Sequence, residues 1–135
     1  MPDLGRRRSP RPVLDFDAPR DAAAQARRFV SAQLGDVGTG VVDDARSVVT
    51  ELVVEALSRG RMPRNLSLGL GPRHLRLELR AEGRLPPLAV VTDRRASQEL
   101  VERLCVSSGS RPLGDGRRWW AVLDRQPAYE PGQEG

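Results

Sequence analysis

Between residues 43 and 60 the chain reads DDARSVVTELVVEALSRG, and its apolar positions fall at Ala45, Val48, Val49, Leu52, Val53, Ala56 and Leu57. This is the i, i+3, i+4, i+7 stripe of a helix packed on a core. Asp43 and Asp44 place negative charge where a helix begins, and Gly60 follows the last periodic residue, so the pattern predicts one long helix between them. Upstream, Pro19 suits the first turn of a shorter helix through AAAQARRFVSAQL, ending at Gly35 and anchored by Phe29, Val30 and Leu34. Residues 13–17 read as a short edge strand before it. A glycine-containing loop, residues 35–40, joins the two helices.

Beyond Gly60 the period changes from 3.6 to two. Leu66, Leu68 and Leu70 alternate with polar or small residues, as do Leu75, Leu77 and Leu79, and GPRH lies between the two runs. Such alternation around a Gly-Pro turn predicts an antiparallel hairpin with one buried face. Residues 94–105 form a shorter helical pattern through Leu100, Val101 and Leu104, followed by a closing hairpin that turns at Gly114-Asp115-Gly116, where Asp-Gly supplies the positive φ of a tight turn. On that last strand Trp119 and Trp120 point to opposite sides, one toward the core. The fold class expected is α+β: a two-layer sandwich of a mixed, mostly antiparallel sheet with helices on one face. Residues 1–13 read as a flexible basic arm, 14–125 as one domain and 126–135 as a flexible tail.

Composition narrows the chemistry. At 135 residues the chain has the size of one ordinary domain. Its single cysteine, Cys105, excludes an internal disulfide and a thiolate metal cage, and its single histidine, His74, offers no histidine cluster for a metal. All 22 basic residues are arginine, which removes every mechanism that needs a lysine, from a Walker-type phosphate site to a Schiff base. No run of 18 apolar residues exists and no apolar segment follows the arginine-rich start, so neither a membrane span nor a secretory signal is expected, and the expected location is cytoplasmic. Of the formal net charge of +4, the arm carries +3, from Arg6, Arg7, Arg8 and Arg11 against Asp3. The remaining body is nearly neutral, without the footprint of a DNA-binding domain.

Glu51, Glu55 and Arg59 lie four apart and share one face of the long helix, away from its apolar stripe. The segment Glu51-Leu52-Val53-Val54-Glu55-Ala56-Leu57-Ser58-Arg59-Gly60 resembles the ELVxNAxxHG helix of the anti-sigma-factor serine kinases, members of the GHKL superfamily of gyrase-type and histidine-kinase-type ATPases. FDAPRDAAAQARRFV and RPLGDGRRWWAVLDR are similar to the family's flanking segments, so the likeness spans about residues 14–125 and implies a Bergerat-type fold. By that resemblance Glu51 matches the general base, Glu55 stands where an asparagine holds magnesium, and Arg59 takes a histidine position. The family's adenine-binding DxGxG corresponds to Ala81-Glu82-Gly83-Arg84-Leu85, in which the aspartate is alanine and the second glycine is leucine. Its phosphate-cradling GxGL corresponds to a segment with Arg95 and Ser97 at the glycine positions.

These exchanges weaken a nucleotide site in distinct ways. A methyl at position 81 accepts no hydrogen bond from adenine, a loss of about 1–3 kcal/mol. Side chains at 95 and 97 crowd the approach of backbone to phosphate. A carboxylate at 55 ligates magnesium as an amide does but adds negative charge beside a triphosphate, which Arg59 offsets at i+4. The resemblance thus implies a regulatory module with ATP binding lost or weakened, its partner a sigma factor or an anti-anti-sigma protein, with a homodimer in keeping with the family. No cofactor is expected on that reading. The alternative is an active ATP- and magnesium-dependent serine/threonine kinase acting on an anti-anti-sigma factor. A nucleic-acid-binding module using the arm and Arg117-Arg118-Trp119-Trp120 is a third reading, and an ordinary solvated Glu51-Glu55-Arg59 helix face is the plain one.

Overall fold

A computed structural model describes residues 11–35, 37–84 and 94–125. A three-residue strand β1 (Val13–Asp15) leads through one 3-10 turn (Pro19–Asp21) into helix α1 (Ala22–Gln33) and then the long helix α2 (Thr39–Ser58). A hairpin of β2 (Met62–Leu70) and β3 (His74–Glu82) follows, then helix α3 (Arg94–Leu104) and a second hairpin of β4 (Ser107–Leu113) and β5 (Gly116–Asp124). The five strands form one sheet in the order β1-β2-β3-β5-β4. Every pairing among the described residues is antiparallel, so the sheet is not mixed.

The α+β architecture follows from the two periodicities. All seven apolar positions of the predicted stripe are buried on α2, and Val30 and Leu34 of the α1 segment are fully buried against them. From the sheet, Leu66, Leu68, Leu75, Leu77, Leu79, Trp119, Ala121 and Leu123 complete the same cluster. Their register explains the shared face: Leu66 lies opposite Leu79 and Leu68 opposite Leu77, while on the other side Leu79 meets Trp119 and Leu77 meets Ala121. Polar bonds also join the two long helices, with Arg27 Nη1 donating to Thr50 Oγ1 at 3.1 Å and Arg46 Nη1 to Ser31 Oγ.

Several boundaries differ from the sequence reading. Helix α2 starts at Thr39 rather than Asp43, because the Gly38 carbonyl accepts the Val41 and Val42 amides at 3.2 and 3.3 Å and begins the helix one turn earlier. Asp43 and Asp44 therefore sit in the second turn. Leu70 is 45% exposed, since it ends the hairpin beyond the helices that cover Leu66 and Leu68. In the closing hairpin the positive φ of +61° belongs to Gly114, with Asp115 in the ordinary half of the map, the pattern of a II′ turn. Gly116 serves another purpose: a Cβ there would stand 2.2 Å from the Ala81 carbonyl oxygen. No helix among the described residues is long and apolar enough to cross a membrane.

Candidate functional site

The amphipathic spacing that buries one face of α2 turns Glu51, Glu55 and Arg59 toward α3 and the β4–β5 hairpin. Between these elements lies a cavity of about 290 Å³. Glu51, Glu55, Arg59 and Ser97 all line it, so four of the residues singled out from sequence come together in one place. The Ser97 hydroxyl donates to Glu51 Oε1, tying α3 to α2. Arg59 Nε donates to Glu55 Oε2 in the i, i+4 pair that the sequence predicts. Across the opening, Gln98 Nε2 donates to Glu102 Oε2 at 3.1 Å. Trp119, almost fully buried, forms an apolar wall.

Other expected positions lie elsewhere. Arg95 is on α3 but its side chain is 89% exposed and reaches Glu99 at 3.8 Å, outside the cavity lining. Ala81 is buried near the end of β3, opposite Pro63 on one side and Arg117 on the other. Gly83 is exposed with φ +75°, and its carbonyl lies 3.5 Å from Arg61 Nη1. Neither residue lines the cavity. Leu85 lies outside the described residues.

Ser108, Gly109 and Ser110 of β4 also line the cavity and were not foreseen as site residues. Their signal was present in the run SSGS, since on an edge strand whose inward positions are serines no apolar contact fills the space below. Ser108 pairs with Ala121 and Ser110 with Trp119, so both serines share the buried face of β5. Arg94, at the first position of α3, completes the charged lining.

The lining carries three carboxylates, Glu51, Glu55 and Glu102, against two guanidiniums, Arg59 and Arg94, a surplus of one negative charge. At about 290 Å³ the cavity stands at the small end of ligand pockets, which run from about 300 to 1,000 Å³. A triphosphate would meet net repulsion there unless a cation accompanied it. Among the described residues no three acidic, histidine or cysteine side chains gather as a metal cage. Magnesium could still be held by one carboxylate with substrate phosphates, and Glu55 would have to leave Arg59 to provide it. Chemically, the arrangement offers paired carboxylates, three serine hydroxyls and a tryptophan wall, with no histidine to share a proton. No family model matches the chain, and no curated protein matches it either.

Proposed function

We propose that the chain is a degenerate member of the anti-sigma-factor serine kinase-like group within the GHKL superfamily, on a Bergerat-type fold, and that it works as a regulatory protein-binding module with nucleotide binding lost or strongly weakened. The observation that carries this reading is the state of the two carboxylates on α2. Glu51, the position of the general base, is bonded by Ser97, and Glu55, the position of the magnesium ligand, is bonded by Arg59. Each group that a phosphoryl transfer would need free is held by a neighbouring side chain. The negative surplus and small volume of the cavity support the same reading, as does the methyl of Ala81 in the core. Its partner on this reading is a sigma factor or an anti-anti-sigma protein, met by a homodimer.

Thermal melting tests the loss of nucleotide binding. A ligand at about 100 times its dissociation constant stabilises a fold by roughly 2.7 kcal/mol, an easily measured rise in Tm. Millimolar Mg-ATP is expected to leave the Tm unchanged. A clear rise that disappears in Glu55→Ala would instead overturn the loss of nucleotide binding and favour the second reading, an active kinase with Glu51 as base and Glu55 on magnesium.

A further inference from the structure

The sheet buries one face beneath the helices and leaves the other without a helix among the described residues. Cross-strand register arranges the outward side chains in rows. Asp15, Asn65, Arg80, Arg118 and Arg111 form one row from β1 to β4, and Val13, Ser67, Glu78, Trp120 and Gly109 form the next. Arg80 thus stands directly opposite Arg118, and Arg118 directly opposite Arg111. Like charges so placed repel, and a strand spacing of about 4.8 Å puts all three within roughly 10 Å.

Neighbouring acids offset only part of this charge. Glu78 accepts from Arg76 Nε at 2.7 Å and lies 3.9 Å from Arg118, while Glu82 lies 4.0 Å from Arg80. Across this part of β3, β5 and β4 four arginines meet two glutamates, and the Arg118 Nε is buried with no hydrogen-bond partner. Arg111 sits over the Trp120 ring, 5.6 Å from its centroid. Gly109 makes room for that indole, because a Cβ at 109 would stand 2.6 Å from the ring. The fold therefore sets an arginine row, with a surplus of positive charge that Glu78 and Glu82 only partly offset, beside an aromatic ring.

We propose that the row Arg80-Arg118-Arg111, with Trp120 beside it, is the docking surface for a short acidic segment of a partner protein. Carboxylates on one side of an extended segment recur about every 7 Å, so two of them span the row, and each guanidinium presents a fork that matches a carboxylate. Trp120 supplies the apolar anchor that such contacts centre on. A nucleic acid fits less well: Glu78 and Glu82 interrupt the path of a continuous phosphate backbone, and a lone tryptophan gives no series of stacking platforms. The inference does not depend on the function proposed for the cavity, although Gly109 and Trp120 also border that cavity at the β4 edge of the sheet.

The test uses the full chain and a fluorescein-labelled octaglutamate peptide, read by anisotropy at about 20 and 200 mM salt. Binding is expected at low salt, weakened at least tenfold by Arg80→Glu or Arg111→Glu, and weakened less by Arg73→Glu, an exposed turn position with the same change in charge. Glu51→Gln is expected to bind as the parent does. The reversal at Arg111 also places a glutamate opposite Arg118, so its Tm is expected to hold or rise while binding falls. Arg80→Gln and Arg111→Gln, which remove charge without reversing it, give the same ordering with smaller losses. The proposal is overturned by no binding at low salt, by equal losses at positions 73, 80 and 111, by tighter binding of an octanucleotide, or by self-association of the chain that Arg111→Glu abolishes.

Discussion

At the scale of single residues, the chain was most readable where one side chain has one task. Glu51, Glu55, Arg59 and Ser97 meet at the cavity because helix spacing fixes their face. Arg95 and Gly83 do not, since their place depends on how a separate segment folds back, which local pattern leaves open. Cys105 illustrates a role that composition reads only as small and apolar. Burial first, and the charge of Asp44 second, push its thiol from 9.0 up to about 11. The shift favours the protonated form in the folded chain, so the stability it contributes is complete below pH 9 and disappears as pH rises through about 11. At pH 8 the thiolate fraction is about a hundredfold below that of an unshifted thiol, partly offset by the greater nucleophilicity of a more basic sulfur. Labelling by a small maleimide is expected to run at least about tenfold slower than in a denatured control, with a rate still climbing between pH 9 and 10. A rise of only about twofold over that interval, as an unshifted thiol gives, would contradict the assignment.

Among the elements, helix ends decide how well the chain holds its register. The C-terminus of α2 closes as a Schellman motif, with the Gly60 amide donating to Leu57 O at 3.0 Å and the Arg61 amide to Ala56 O at 2.9 Å. Gly60 sits at φ +73°, a region that costs an L-residue about 1–2 kcal/mol. Gly60→Ala is therefore expected to lower the unfolding free energy by about 1 kcal/mol in a urea titration, with unchanged slope, whereas Gly40→Ala inside α2, with nothing within 4 Å of its Cβ, is expected to stabilise. Equal effects at the two glycines would refute this account. The C-terminal stop was legible because glycine after a periodic run has one common meaning. The start was not: Thr39 and Gly40 carry no apolar periodicity and only a backbone carbonyl, that of Gly38, begins the helix. Strands show the same contrast, since leucine alternation marks β2 and β3, while the strand order that inserts β5 between β3 and β4 depends on pairings between distant segments.

For the molecule as a whole, a single core cluster joins α1, α2 and the three central strands, yet α3 contributes no buried residue to it. Leu104 and the adjoining Cys105 only pack against its margin, and Ser97 adds one bond to α2. The sequence does mark α3 as amphipathic; what it cannot reveal is that the space beneath is a cavity lined by Glu51, Ser108 and Ser110 rather than a filled core. Stability should therefore be uneven. Local opening takes least free energy where little apolar surface is buried, so α3 can detach without exposing the leucines of β2 and β3. Native-state hydrogen exchange is expected to give α3 amides opening free energies well below those of Leu77 and Leu79 on β3, which report global unfolding. Ser97→Ala removes the tie to Glu51 and is expected to speed exchange in α3 several-fold while leaving β3 unchanged. Uniform protection across α3 and β3, or equal acceleration in both, would mean that the helix belongs to the cooperative core after all. Such an opening also bears on the cavity, because its outer wall is the element that the rest of the fold holds least tightly.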